Sequence, residues 1–331
     1  MNDLLTKIDN MNNLVELHLH LDGSISLNNA KSIAKLQGID LPSDEEVLRL
    51  VQVSKDCHDL NEFLTKFDFP LSLMQEAVAI TKAVKNLSDE LLSQGIMYAE
   101  IRFAPQLHTN KGLTMEEVVN AAIEGMKLSN LKSNLILCTM RGIDTHEKNI
   151  ETVKLAKKYL GKGVCAIDLA GAEGLYKTSD YEDIFKLAKE LDIPFTIHAG
   201  EADGPSSVAS AINFGAKRIG HGVRSSEDIS LVNSIKDKNI TLEICPTSNI
   251  CTSIYNEVKD MPIKLFMDNN INITINTDDP AICNTSLKEE LKKLSQAFNL
   301  TYEDIIKFEI NAINASFASE KDKLELLNRM K

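Results

Sequence analysis

Eight short apolar runs separated by helix-like stretches constrain this chain more than any other feature. They lie at 14–20, 96–103, 134–140, 164–170, 194–199, 217–221, 240–245 and 271–276. Between them the apolar spacing turns helical, at 113–131, 147–160, 180–191 and 226–238, and only helical spacing remains over 305–329. Hydroxyl residues three before a glutamate, at Ser43…Glu46, Thr114…Glu117 and Ser179…Glu182, predict helix starts built on capping boxes. Strands alternating with helices predict a parallel sheet of the α/β class. Eight is the number that closes a (β/α)8 barrel of TIM type, with an open doubly wound sheet as the alternative.

The chain has 331 residues, enough for two average domains or one large barrel. No internal repeat, low-complexity tract or Pro/Gly/Ser linker divides it, so a single domain over 1–331 is expected. A helical insert, about 26–94, separates the first two strand candidates, and an insert of that size is expected to be functional or to form a lid. Acidic side chains outnumber basic ones, 48 to 36, for a net charge of −12. That field repels phosphate backbones and anionic membrane surfaces, so neither a nucleic-acid nor a membrane partner is expected. The sequence names no protein partner. G-x-G-x-x-G and G-x-x-x-x-G-K-[ST] are both missing, and the usual nucleotide-phosphate cradles with them. The six cysteines form no C-x-x-C pair, which suits reduced, buried thiols in a cytoplasmic protein. The N-terminal stretch has no signal-peptide pattern, and no apolar run is long enough to span a membrane.

Four of the seven histidines, His18, His20, His198 and His221, fall at the C-terminal ends of strand candidates. Residues i and i+2 of a strand share a face, so His18 and His20 point together, away from Leu17, Leu19 and Leu21. That spacing suits two imidazoles gripping one ion; a hydrogen-bonded pair of core histidines is the alternative. Strand eight ends on Asp278-Asp279-Pro280, which could equally cap a following helix. In a barrel all strand ends converge on one mouth, which would make neighbours of His18, His20, His198, His221, Glu201 and Asp278. Three histidines and a carboxylate with an open position would form a catalytic zinc site.

H-L-H-L-D-G-S (18–24), D-L-A-G (168–171), H-A-G-E (198–201), I-G-H-G (219–222), E-I-C-P-T-S-N (243–249) and N-T-D-D-P (276–280) together resemble the adenosine deaminase family of the metal-dependent amidohydrolase superfamily. Order and spacing agree from about 14 to 318. The resemblance implies a (β/α)8 barrel with one zinc ion held by His18, His20, His198 and Asp278. It implies Glu201 as proton donor, His221 as partner of the hydroxide nucleophile and Asp278 as a second contact to it. It assigns Asp22 to the ribose 5′-hydroxyl, the Gly171 N–H to purine N3, and Asp279 to purine N7, with His20 also against the substrate. Where the family usually continues D-L-A-G-D-E, this chain has Ala172, which alters the local charge beside the N3 contact.

The expected partner is a small purine nucleoside. The expected reaction is hydrolysis of adenosine and 2′-deoxyadenosine to inosine and 2′-deoxyinosine plus ammonia, as in purine salvage. Adenine deaminases of this group often carry glutamate at the position of Asp22, and an acid there repels a 5′-phosphate. The alternatives are a deaminase of adenine or a modified 6-aminopurine, an amidohydrolase of another amine or cyclic amide, and an inactive purine-binding relative. Leu60, Phe63, Leu64 and Phe67 in "DLNEFLTKFDF" (59–69) resemble the family segment at the nucleoside entrance, although helical apolar spacing also fits ordinary core. Glu243 is expected either to hold His221 or another ligand, or to lie on the surface.

Overall fold

A computed structural model of the chain describes residues 2–54 and 56–330. Eight strands alternate with helices: β1 (Leu14–His20), β2 (Ile96–Phe103), β3 (Lys132–Met140), β4 (Val164–Ala170), β5 (Thr196–Ala199), β6 (Arg218–His221), β7 (Thr241–Ile244) and β8 (Asn272–Ile275). Every neighbouring pair is parallel, in the orders β1-β2-β3-β4 and β5-β6-β7-β8. Two seams join these halves into a closed barrel. Ile167 of β4 bridges Phe195 just before β5, and Leu19 of β1 bridges Asp278 just after β8. The expected (β/α)8 architecture is therefore the observed one.

The strands are buried almost end to end, as a parallel sheet covered by helices requires. Outward-facing Leu19, Ile101, Leu137 and Ile167 join the apolar layer between barrel and helices. Val15 and Leu17 pack instead against Ala312 and Ile313 of the helix Tyr302–Ala315. The inward-facing residues of the lower barrel are charged, and they belong to the site described below.

Capping boxes form at Ser43/Glu46 and Thr114/Glu117, as the spacing predicts. The one expected at Ser179…Glu182 does not. Buried Thr178 is tied to Arg141 and Ser207, and residues 178–181 make a 3-10 turn. The helix then begins at Glu182, which leaves Ser179 a turn too early to cap it. The insert between β1 and β2 folds as helices at Leu27–Gln37, Asp44–Val51, Leu60–Leu64, Asp68–Leu73 and Ala77–Ser93. All six cysteines are free thiols, five of them buried. Among the described residues, no helix is long and apolar enough to cross a membrane.

Candidate active site

The C-terminal ends of β1, β5, β6 and β8 bring His18, His20, His198, His221 and Asp278 to one point. His18 Nε2 lies 3.2 Å and His20 Nε2 3.3 Å from Asp278 Oδ1, and His20 Nε2 lies 3.2 Å from His198 Nε2. One donor atom from each of His18, His20, His198 and Asp278 falls within 4.8 Å of all the others. Donors about 2.0–2.1 Å from a tetrahedral zinc stand roughly 3.3 Å apart, so these spacings suit such an ion. His18 Nε2 is buried with no hydrogen-bond partner, as a ligand atom aimed at a cation would be.

The rings are oriented from behind. His18 Nδ1 faces Glu243 Oε2 at 2.7 Å, and His198 Nδ1 faces Asp168 Oδ2 at 2.8 Å, so each imidazole turns its Nε2 inward. Glu243 is fully buried and contacts His18, not His221. Arg102 ties the two carboxylates together, at 2.8 Å from Asp168 and 2.9 Å from Glu243. Arg218 adds contacts of 2.6 Å to both Glu243 and Glu100. Burial works against charge on Glu243, yet the two guanidiniums hold its carboxyl well below the usual range. Two arginines thus pair with the carboxylates of Glu100, Asp168 and Glu243, and with Asp278 beside the imidazoles a divalent cation would balance the negative excess.

Glu201 and His221 complete the rim. His221 Nε2 lies 3.6 Å from Glu201 Oε2 and 3.5 Å from Asp278 Oδ2, and its Nδ1 is 3.1 Å from Asn249 Nδ2. Burial pushes the His221 imidazole down to about 3, so the ring is neutral at pH 7. Burial, reinforced by the charges of Asp278 and Glu173, raises Glu201 well above the usual carboxyl range. These surroundings favour the protonated form of its carboxyl. Asp279 is raised likewise, by burial and by Asp278 and Asp22 beside it, and burial lifts Asp22 to about 6. Asp22 Oδ1 and Asp279 Oδ1 are both buried and unpartnered.

A cavity of about 270 Å³ opens beside this cluster, with His20, Asp22, Gly171 and Ala172 on one side and Leu64, Phe67 and Leu71 from the insert on the other. The entrance segment therefore divides. Leu64 and Phe67 line the cavity, with the Phe67 ring 6.4 Å from that of His20, whereas Leu60 and Phe63 are buried against Cys57, Ile282 and Cys283. At the departure from the family pattern, Ala172 also lines the cavity, and Arg141 is the cation on that wall. Arg141 donates to the carbonyls of Tyr176 (2.8 Å) and His198 (2.6 Å). Asp168, Arg102, Arg218, Arg141 and Asn249 join the site without having been expected there from sequence. Asp168 and Asn249 carried the clearest signals, since they fall within D-L-A-G (168–171) and E-I-C-P-T-S-N (243–249).

Comparison with known proteins agrees with this geometry. The family described as adenosine deaminase matches residues 13–331. The adenosine deaminase of Haemophilus ducreyi is 44% identical over 324 residues, covering 95% of this chain and 94% of the relative. Among solved structures, the adenine deaminase of Arthrobacter aurescens superposes with a TM-score of 0.85 at 25% identity, covering 96% of this chain and 97% of the other. The arabidopsis N6-mAMP deaminase does so with a TM-score of 0.86 at 25% identity, over 98% and 99%. A match over nearly its full length makes this chain a member of the adenosine deaminase family.

Proposed function

We propose that this chain hydrolyses adenosine and 2′-deoxyadenosine to inosine and 2′-deoxyinosine, releasing ammonia, in purine salvage. The convergence of His18, His20, His198 and Asp278 beside the buried carboxyl of Glu201 carries this reading. Those four residues would hold one zinc ion. A zinc ion there supplies a water-derived nucleophile at neutral pH. The reaction runs within a single barrel domain, and six free thiols support a cytoplasmic setting.

The chain's own groups do the rest. Addition at C6 drives electrons onto N1, and Glu201 gives N1 its proton as that charge develops; the added hydroxyl's proton passes to the amino group, the C6–N6 bond breaks, and ammonia leaves the 6-oxo purine. With Asn249 donating to Nδ1, His221 carries its proton on Nε2, directed at Glu201 and Asp278, where it orients the nucleophile. Asp278 accepts a hydrogen bond from the same water. Asp279, whose carboxyl is pushed toward its protonated form by burial and by Asp278, donates to N7, while the Gly171 N–H donates to N3. Asp22 accepts from the ribose 5′-hydroxyl, and His20 and Phe67 close on the base and sugar.

Asp22 decides among substrates. A buried carboxylate with an unsatisfied oxygen welcomes a hydroxyl and repels a phosphate. The test is a panel of adenosine, 2′-deoxyadenosine, adenine, AMP and N6-methyl-AMP on the purified protein, with metal content measured in parallel. The two nucleosides should be turned over with about one zinc per chain. Preference for adenine or a nucleotide rejects the nucleoside reading, and no turnover with metal bound leaves a purine-binding relative. Glu201→Gln should keep the metal and lose most turnover; near wild-type activity removes Glu201 as the acid.

A further inference from the structure

We propose that Glu173 is the positioning residue that sets the proton donor Glu201 against the purine ring; this rests on the deaminase reading above. Glu173 lies in the turn after β4, two residues beyond Gly171, and is 1% exposed. Its carboxylate accepts hydrogen bonds from four successive backbone N–H groups of the loop after β5: Gly200 at 2.7 Å, Glu201 at 3.0 Å, Ala202 at 2.7 Å and Asp203 at 2.9 Å. Ser207 Oγ donates to the same carboxylate. The loop is thus wound around an anion, and Glu201 sits inside the winding. Gly200 makes the turn possible, because its φ is +72° and a Cβ there would come within 2.4 Å of Val208 Cγ2.

The cradle gives one short turn control of two contacts to the same ring. Gly171 presents its N–H toward N3, and Glu173 fixes the backbone from which Glu201 reaches N1. Arg141 stiffens the junction by holding the His198 carbonyl at 2.6 Å. Only a carboxylate satisfies such a site, since it offers two acceptor oxygens and no donor. In Glu173→Gln an amide NH2 must face backbone N–H groups, so the loop opens and Glu201 shifts.

The zinc-loaded enzyme is assayed with adenosine, and wild-type turnover is measured first; its absence defeats the deaminase reading without touching Glu173. Given turnover, Glu173→Gln should keep its metal and hold KM within about threefold while kcat drops about 100-fold, the scale of an ångström-level misplacement. Inhibition by 1-deazaadenosine should change by less than about threefold, since a ligand with no N1 makes no use of the Glu201 proton. Wild-type kcat, or a loss of kcat matched by an equal loss of metal and an equal rise in KM, overturns the proposal. Ser207→Ala keeps the backbone cradle and guards against a Glu173→Gln chain that fails to fold. It should lower kcat about tenfold at unchanged KM, the low end for one lost hydrogen bond to a charged group. Unchanged kcat in Ser207→Ala beside an unfolded Glu173→Gln assigns Glu173 to folding alone and overturns the proposal too.

Discussion

Asp278 donates its backbone N–H to the His18 carbonyl at 2.8 Å, while its Oδ1 stands 3.2 Å from His18 Nε2. The His20 N–H returns a 2.8 Å bond to the Asp278 carbonyl. The residues that close the barrel between β1 and β8 therefore also present the atoms proposed to hold the ion. Asp278 adopts a left-handed backbone, φ 62°, to serve both purposes. Closure of the sheet and spacing of the donors are one geometric fact.

Because the closing bonds are made by the main chain, Asp278→Ala should keep the barrel and lose the ion. We expect zinc content to fall below about a tenth of wild type together with activity, and added zinc should no longer raise Tm. In the wild type, chelation should lower Tm and zinc restore it, since a ligand at 1,000 times its Kd stabilises the folded state by about 4 kcal/mol. Metal analysis with calorimetry checks this. Full zinc occupancy in Asp278→Ala would remove the residue from the ligand set.

Glu243 and Asp168 should matter through the imidazoles they orient. Glu243→Gln and Asp168→Asn each remove the charge behind one ring, and each should weaken zinc binding by about 10–100-fold. The two changes share Arg102 as a partner, so their combined effect should fall short of additive. Competition against a fluorescent chelator measures both affinities. Wild-type zinc affinity in either variant would mean that its ring holds its orientation without the carboxylate.

Gly23 makes room for Asp279. A Cβ on Gly23 would lie 1.6 Å from Asp279 Oδ1, so Gly23→Ala must displace that carboxyl. Zinc content should stay at the wild-type level while kcat/KM for adenosine falls about 100-fold, as expected for a misplaced ring contact. Steady-state kinetics with metal analysis distinguishes this from loss of the ion.

The rim of the site was legible in the sequence because it depends on local rules. Residues two apart on β1 share a face, and strand ends of a parallel barrel share a mouth, so His18, His20, His198, His221 and Asp278 could be brought together without coordinates. Of the layer beneath, only Glu243 was marked in the sequence, as a support for His221 or another ligand. Glu100, Arg102 and Arg218 sit within strands, where a charge ordinarily signals a solvent-facing side, and only closure of the barrel turns them on one another. Ser179 illustrates the same limit at a helix start. Its spacing to Glu182 fits a capping box, but the pull of Arg141 and Ser207 on Thr178 fixes the turn instead.

Glu309 offers a pH test outside the proposed ligand set. Its Oε2 accepts the Val15 N–H at 2.7 Å where β1 begins, and burial pushes its carboxyl up to about 8 from an ordinary value of 4.5. Between those values the unfolded chain has released this proton and the folded chain keeps it. The group's contribution is therefore fully present below pH 4.5 and is lost as pH rises toward 8. Glu309→Gln has no proton to lose, and its amide oxygen can still accept from Val15. We expect the variant to match the wild type at low pH and to exceed it by roughly 2–4 kcal/mol at pH 8, since each tenfold difference in proton affinity is worth about 1.4 kcal/mol. Urea unfolding from about pH 5.5 to about pH 8.5 reads the difference, which should widen steadily with pH. A flat difference would mean that Glu309 is ionised in the folded protein, and the Val15 bond would then be a charged one.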